Sequence, residues 1–273
     1  MLRDCLCKLD KVDTWPCDEI NYIWRHGNVR LETDRFTKDQ LTPRISSFIK
    51  REFDKIEKAQ QADYVVEKTC ANSLRVPFID EIFPEGKYVC IIRDGFDVAS
   101  SAAKRWKAPL DIPYIMAKAK YVPKSDLLYY ASRYAWNRVK KLFSKEKRLA
   151  FWGPMYPGIH EDLKKYSASE VSALQWAACV KTSLQDFKAI EKDRVLYVRY
   201  ESFVTQPVRE MSRIVDFLNL KHIDAAQIEA SVASVSVKSV GKSKSSFANE
   251  ELEKLSPIIE PVQNTIDDHF QSL

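Results

Sequence analysis

The segment Val89–Ser101, VCIIRDGFDVASS, combines an apolar run with a permanent positive charge and two hydroxyls. The apolar run predicts a buried strand, and the residues from Asp97 onward predict a helix. Arg93 therefore follows a core strand, and Ser101 lies on the first turns of the next helix. A guanidinium fork, a hydroxyl and a helix N-terminus together suit a phosphate group. The alternative is that Arg93 pairs with Asp94 or Asp97 and only stabilises the edge of the sheet.

The elements around this segment alternate between strand and helix, which predicts an α/β protein built from parallel βαβ units. Buried strands are predicted at Tyr64–Glu67, Lys87–Ile92 and Val195–Tyr200, and helices at Met1–Leu9, Asp97–Trp106, Leu127–Phe143, Glu170–Ile190 and Asn249–Phe270. In open parallel sheets, ligands bind beyond the carboxyl ends of the strands. Lys68, Arg93 and Glu201 follow three predicted strands, so we expect a ligand site at this edge.

Composition excludes several classes of protein. The chain has 273 residues, of which 45% are hydrophobic, enough for a substantial core. The net charge is only +5, and basic residues are scattered among nearly as many acidic ones, which disfavours a nucleic-acid partner. The six cysteines have no metal-site spacing, so we expect reduced thiols and no metal. No run is long and apolar enough for a membrane helix, and the charged N-terminus is unlike a signal peptide, which predicts a cytoplasmic protein with no membrane partner.

Several segments taken together resemble one family. VVEKTCANSLRVPFIDEIFPEGKYVCIIRDGFDVASS and VLYVRYESFVTQPVREMSRIVDFLNL are similar to segments of sulfotransferases that use 3′-phosphoadenosine-5′-phosphosulfate (PAPS), as are WGPMYPGI, the helix around Gln175 and Trp176, and the SVGKSK turn. The resemblance implies a three-layer, P-loop-like α/β fold with a central parallel sheet flanked by helices, formed by one domain over residues 1–273. It also implies PAPS as co-substrate.

The resemblance assigns roles to residues at the donor site. Arg93 and Ser101 keep the spacing of the family's 3′-phosphate ligands, and a permanently charged bidentate donor suits that role. Tyr200 stands where the family often has a residue that contacts the adenine, although a strand-end tyrosine is also an ordinary core residue. Gly241, Lys242 and Lys244 resemble a late basic loop that closes over the phosphate. For the two lysines, a solvated loop is the alternative.

Transfer of a sulfuryl group needs a base for the acceptor proton and positive charge near the leaving oxygen. Lys68 is the candidate for the positive charge. Small-molecule sulfotransferases carry a histidine two residues after this lysine, where this chain has Cys70, a poor base as a neutral thiol.

The candidate base is Glu19, because TWPCDEINYIW stands where related sulfotransferases place a catalytic glutamate. Aromatic neighbours predict a raised pKa for Glu19, as a general base requires. The alternatives are a solvent-facing Glu19, Asp18 as the second choice of carboxylate, and His26 or His160 as the base.

The chain departs from the family before Glu19. Sulfotransferases have a first strand and a GxPRSGTT-like loop that binds the 5′-phosphosulfate, and this sequence has no glycine before Gly27. The resemblance therefore implies that the N-terminal central strand and this loop are absent. We expect an apolar slot with unpaired backbone, weak nucleotide binding and poor or no turnover.

The resemblance thus implies a PAPS-dependent sulfotransferase acting on a hydroxyl. A hydroxyl-bearing small molecule, a carbohydrate and a tyrosine all remain open as acceptors. The alternatives are a non-catalytic nucleotide-binding relative of the same fold and a P-loop-type kinase. The kinase is disfavoured because the sequence has no GxxxxGK[ST] loop.

Overall fold

The structure is a computed structural model that describes residues 1–107, 116, 118–133, 153–237, 241 and 247–273. Its strands are β1 (Val12–Asp13), β2 (Tyr64–Val65), β3 (Tyr88–Ile92) and β4 (Val195–Arg199). The helices within the described residues include α1 (Leu2–Leu6), α2 (Asn21–Trp24), α3 (Pro43–Gln60), α4 (Val76–Ile82), α5 (Gly95–Lys107), α6 (Ile159–Lys165), α7 (Ala168–Asp186), α8 (Tyr200–Thr205), α9 (Pro207–Leu218), α10 (Ala225–Val232) and α11 (Asn249–Gln271).

The strands form parallel pairs. β1 pairs with β2, and β3 pairs with β4 from Tyr88 opposite Val195 to Ile92 opposite Arg199. Helices occur between the two strands of each pair, as a parallel connection requires. The predicted α/β class is therefore confirmed, and each strand predicted from an apolar run begins within one residue of its expected position.

A cavity of about 950 Å³, which we call the slot, lies between β2 and β3. Val65 lines one side of it and Tyr88 to Ile92 line the other. Among the described residues no ladder joins β2 to β3, so the parallel strands occur as two separate sheets.

The helix α7 is the centre of one half of the core. α5 and α11 both pack against it, and Trp176, Val180 and Leu184 are buried in the cluster that they form. The helix begins where Ser167 and Glu170 form a capping box, which satisfies two otherwise unpaired N–H groups. The predicted helix Glu170–Ile190 is therefore confirmed in its main part, although α-helical geometry ends at Asp186.

Other predicted helices are found close to their expected bounds. α5 extends one or two residues beyond Asp97–Trp106 at each end, and α11 ends one residue after Phe270. The short helix α1 confirms the helical spacing at the start of the chain. Of the predicted helix Leu127–Phe143, residues 127–133 are helical and the remainder lies outside the described residues.

Gly95 is required where α5 begins, because two core side chains approach its Cα closely. A Cβ at this position would lie 2.6 Å from Cγ2 of Ile259 and 2.8 Å from the ring of Trp176. We expect Gly95→Ala to lower the free energy of unfolding by about 1–3 kcal/mol through overpacking. Urea unfolding of the two proteins measures the difference. An unchanged or higher stability in the variant would contradict this packing.

Candidate active site

The pairing of β3 with β4 brings Arg93 and Tyr200 together. Ile92 lies opposite Arg199 in the register, so the next residue of each strand, Arg93 and Tyr200, leaves the sheet at the same place. The guanidinium carbon of Arg93 is 4.5 Å from the centre of the Tyr200 ring. A cation over an aromatic face is a favourable contact, and it holds the guanidinium at the carboxyl end of the sheet.

The backbone around Arg93 is held from two sides. Nε1 of Trp176 on α7 donates a hydrogen bond to the Arg93 carbonyl at 3.0 Å. The next residue, Asp94, donates its N–H to the Glu201 carboxylate at 2.9 Å and accepts a hydrogen bond from the Asp97 N–H at 3.0 Å. Asp94 thereby caps the N-terminus of α5. The strand end and the helix start are thus fixed relative to each other.

The Asp97 carboxylate contacts both Arg93 and Gly241. Its Oδ2 lies 3.4 Å from Nη2 of Arg93 and accepts a hydrogen bond from the Gly241 N–H at 3.1 Å. The structure therefore brings Gly241, far away in the sequence, to the same carboxylate as Arg93. The contact between Arg93 and Asp97 is also the alternative that the sequence left open for this arginine.

Ser101, Lys242 and Lys244 are the other residues predicted for the donor site. Ser101 is exposed on α5, four residues after Asp97, so the two lie on the same face of that helix. Lys242 and Lys244 lie outside the described residues.

Glu19 and Lys68, the two residues predicted for catalysis, form an ion pair just beyond β2. Nζ of Lys68 lies 3.0 Å from Oε1 of Glu19, and the backbone N–H of Cys70 donates to the same oxygen at 3.2 Å. Burial lowers the pKa of Lys68, but the neighbouring Cys70 and Glu19 outweigh it and hold that pKa above its ordinary value. Lys68 is therefore fully charged at neutral pH.

The raised pKa predicted for Glu19 is wrong. Burial does act to raise the pKa of this carboxyl, but the Lys68 ammonium and the hydrogen bonds from Cys70 outweigh it and hold the pKa below its ordinary value. The sequence revealed the aromatic surroundings but not the ion pair. Glu19 is thus ionised at neutral pH. The protein atoms around the Cys70 sulfur and the nearby Glu19 carboxylate raise the pKa of this thiol to about 12 and leave it neutral, although the residue as a whole is exposed.

Glu67 is a site residue that the sequence reasoning missed. Its two carboxylate oxygens accept hydrogen bonds from the Thr69 hydroxyl and the Asn72 amide, each at 2.5 Å. Burial holds the pKa of Glu67 above its ordinary value. The signal was a carboxylate at the end of a buried strand, directly before Lys68, where an apolar residue would be expected. Two carboxylates beside Lys68 thus have pKa values displaced in opposite directions.

The two alternative histidines lie on other segments of the chain. Nδ1 of His26 lies 2.9 Å from Oδ2 of Asp126, and its ring packs on Phe48 with centroids 4.0 Å apart. These contacts give His26 a structural role. His160 lies in the first turn of α6.

The slot connects the two halves of the site. Lys68, Glu67 and Arg93 all line it, beside the apolar residues of β3. A molecule that reached from Arg93 to Lys68 would therefore lie across the carboxyl ends of β2 and β3. In the described part of the chain, no group of three or more histidine, cysteine or acidic side chains is arranged to hold a metal ion. The helices of that part also include none with the length and apolar character of a membrane span.

Comparisons with known proteins agree with the sequence motifs. A family described as "Sulfotransferase family" matches residues 137–224. No curated protein matches the chain. A solved structure titled "Sulfotransferase Domain from the Curacin Biosynthetic Pathway" is similar with 16% identity and a TM-score of 0.45, over 80% of this chain and 68% of that one. The family match includes Trp176, β4 and Tyr200, and it confirms the predicted resemblance over residues 137–224.

Proposed function

We propose that the protein transfers a sulfuryl group from PAPS to a hydroxyl acceptor. The observation that carries the proposal is that Arg93, at the carboxyl end of the β3–β4 pair, contacts both Tyr200 and Asp97, and that Gly241 contacts the same aspartate. This edge lies beside Lys68, and the chain contains a sulfotransferase-family segment. A phosphorylated nucleotide is the ligand class that such an edge of an α/β sheet favours.

The donor's 3′ end is the part that these residues fit best. Arg93 offers a charged fork for the 3′-phosphate, with Ser101 as a hydroxyl donor from α5. Tyr200 offers a flat ring at the same place for the adenine. The Gly241 N–H contacts Asp97, and Lys242 and Lys244 follow Gly241 closely in the sequence, so we assign them the role of adding positive charge to the phosphate site. The 3.4 Å contact of Arg93 with Asp97 is long for a charge-assisted hydrogen bond, so a phosphate can compete for the guanidinium.

The proposed chemistry uses Lys68 and Glu19 together. The acceptor oxygen forms a bond to sulfur while the bond from sulfur to the bridging oxygen breaks, and the leaving phosphate keeps the electron pair. Lys68 would neutralise the charge on that oxygen. If Lys68 turns from Glu19 toward the leaving oxygen, Glu19 loses its strongest charge partner and its pKa rises. It then becomes a better base for the proton of the acceptor hydroxyl.

Titration with adenosine 3′,5′-bisphosphate, the desulfated donor, tests the nucleotide site directly. We expect saturable heat of binding by isothermal titration calorimetry. Adenosine 5′-monophosphate should bind more weakly, because it lacks the phosphate assigned to Arg93 and Ser101. Equal affinity for the two nucleotides, or no binding of either, would contradict the proposal.

The role of Glu19 gives a prediction about catalysis. We expect Glu19→Gln to lower the rate of sulfuryl transfer from labelled PAPS by about 10²- to 10⁴-fold, the usual contribution of a general base, with little change in bisphosphate affinity. Asp18→Asn distinguishes the two candidate carboxylates: the Asp18 side chain is 53% exposed beside Arg3, and we expect this variant to keep the parent rate if Glu19 is the base. A Glu19→Gln protein that transfers sulfate at the parent rate would exclude Glu19 as the base.

A non-catalytic nucleotide-binding protein is the second candidate. The observation that favours it is the pairing of Lys68 with Glu19, since this ion pair occupies the cation intended for the leaving group. Bisphosphate binding together with no transfer to phenols, sugars or tyrosine peptides would support this second function. Those three acceptor classes are the ones proposed for the enzyme.

A further inference from the structure

The turn that carries Glu19 is bound by three consecutive residues of the 68–70 segment. The Lys68 ammonium and the Cys70 N–H both reach Oε1 of Glu19, so they hold its side chain. Thr69 lies between them and holds the backbone of the same turn, because its hydroxyl oxygen accepts a hydrogen bond from the Ile20 N–H at 3.2 Å. The two residues of this last contact are 49 positions apart in the chain, so only tertiary structure joins them.

The Thr69 hydroxyl has a fixed direction. It donates its proton to Oε1 of Glu67 at 2.5 Å, which leaves a lone pair for the Ile20 N–H. Oε2 of Glu67 is held in turn by the Asn72 amide at 2.5 Å. Thr69 is 5% exposed and Ile20 is 2% exposed, so water cannot readily replace either of them in this contact. These four residues therefore form a chain of hydrogen bonds in which each group orients the next.

The helix that follows Glu19 cannot fix this turn by itself. α2 has four residues, and its N-cap residue, Ile20, makes no side-chain hydrogen bond that would cap it. So short a helix is not stable alone, because nucleation costs more than a few hydrogen bonds return. The Asn21 side chain accepts a hydrogen bond from Nη2 of Arg75 at 2.5 Å and donates one to Asp34 at 3.4 Å. The position of the turn thus depends on tertiary contacts at Ile20 and Asn21.

We propose that Thr69 is a positioning residue for Glu19. Its hydroxyl, oriented by Glu67, fixes the backbone of the turn and thereby the place of the Glu19 carboxylate beside Lys68. The effect on sulfuryl transfer rests on the function proposed above, whereas the contact itself needs neither PAPS nor an acceptor. A general base must lie within hydrogen-bond reach of the proton that it removes, so a displaced Glu19 would act more slowly although the carboxylate is still present.

Hydrogen exchange of two backbone amides tests this inference on the full chain. The Ile20 amide reports its contact with Thr69, and the Cys70 amide reports the position of its acceptor, the Glu19 carboxylate. We expect Thr69→Val to lower the protection factors of both amides by at least about tenfold near pH 7, as measured by NMR. Protection factors correct for the type of neighbouring side chain, so the substitution beside Cys70 does not itself produce the loss. Glu19→Ala is the reference for a Cys70 amide that lacks this acceptor.

Two further variants separate the hydroxyl from the shape of the side chain and from general destabilisation. Thr69→Ser keeps the hydroxyl and should restore the protection of both amides. Ser231→Ala is the matched control, because Ser231 is 1% exposed and its hydroxyl also makes a buried hydrogen bond, at 2.8 Å to the Ile228 carbonyl on α10. It should leave both amides unchanged. Circular dichroism verifies that the variants are folded, and Thr69→Ala replaces Thr69→Val if the valine protein does not fold, since alanine leaves room for water at the two polar groups.

Sulfuryl transfer gives a second measurement. We expect Thr69→Val to lower kcat by at least about tenfold, with KM for PAPS unchanged and with Thr69→Ser close to the parent. A parent protein that transfers no sulfate to any acceptor would contradict the proposed function, and the exchange measurements would then decide the inference alone.

The opposite results would overturn the inference. Loss of protection at Ile20 with Cys70 unchanged would mean that Thr69 holds only the start of α2. Unchanged protection at both amides would mean that the hydroxyl is not needed for the turn. A Thr69→Ser protein with as little protection as Thr69→Val would assign the effect to side-chain shape. Loss of protection at both amides with an unchanged kcat would exclude an effect of this position on transfer.

Discussion

Arg93→Ala is expected to weaken the binding of adenosine 3′,5′-bisphosphate by at least about 30-fold, because removing one partner of a close charge pair costs about 2 kcal/mol or more. The affinity for adenosine 5′-monophosphate should change little, since that nucleotide lacks the phosphate assigned to this arginine. The comparison of two nucleotides by calorimetry therefore separates loss of a specific contact from general damage to the site.

Arg199→Ala is a close control for this variant. Arg199 is the last residue of β4, which pairs with β3, the strand that precedes Arg93. The guanidinium carbon of Arg199 also lies over an aromatic ring, 4.3 Å from the centre of the Phe270 ring. It pairs with Asp267 at 2.8 Å rather than with Asp97. We expect Arg199→Ala to bind the bisphosphate like the parent protein. Equal losses in the two variants, or an unchanged affinity in Arg93→Ala, would remove Arg93 from the proposed phosphate site.

Asp34→Ala is expected to lower the free energy of unfolding by about 3–5 kcal/mol, because it would leave buried positive charge without its partner. Asp34 is 1% exposed, and its Oδ1 lies 2.7 Å from Nη1 of Arg25. The fully buried Arg75 acts on the same carboxylate. Asp34 also accepts a hydrogen bond from the Met155 N–H at 2.8 Å, which joins the 153–158 segment to this network.

Urea unfolding of the parent and the variant measures this effect. Glu81→Ala is the control, because Glu81 forms an exposed ion pair with Lys38 and such pairs contribute little to stability. An Asp34→Ala protein as stable as the Glu81→Ala control would show that the buried network is not needed for folding.

The same carboxylate predicts a dependence of stability on pH. Burial acts to raise the pKa of Asp34, but Arg75 and Arg25 outweigh it and hold that pKa below the ordinary value of 3.8. A group with a depressed folded-state pKa contributes stability that is present above its unfolded-state pKa and is lost as the pH falls through the folded-state value. The parent should therefore lose more stability than Asp34→Ala between about pH 5 and about pH 2. Parallel losses in the two proteins would contradict this assignment.

The fold could be predicted from the sequence to the extent that local pattern determines it. The apolar runs that became β3 and β4, and the helical segments that became α7 and α11, were found close to their predicted positions. Hydrophobic periodicity and capping residues act over a few neighbours, so they can be read without tertiary structure. The division of the parallel strands into two sheets depends on which strands are adjacent in space. That is decided by contacts between residues far apart in the chain.

The candidate site also combines features that the sequence predicted with features that only the tertiary structure shows. The sequence by itself determined that Arg93 and Tyr200 directly follow strands, because a strand and its last residue are local features. β2 ends at Val65, before the predicted end at Glu67, so Lys68 follows it less directly than predicted. Only the tertiary structure decided what these residues face: Asp97 and Gly241 beside Arg93, and Glu19 beside Lys68. It also lowered the pKa of Glu19 where its aromatic neighbours had suggested a raised value. Electrostatic interactions weaken with distance in space and not with separation along the chain. The pKa of Glu19 therefore could not be predicted from its neighbours in the sequence.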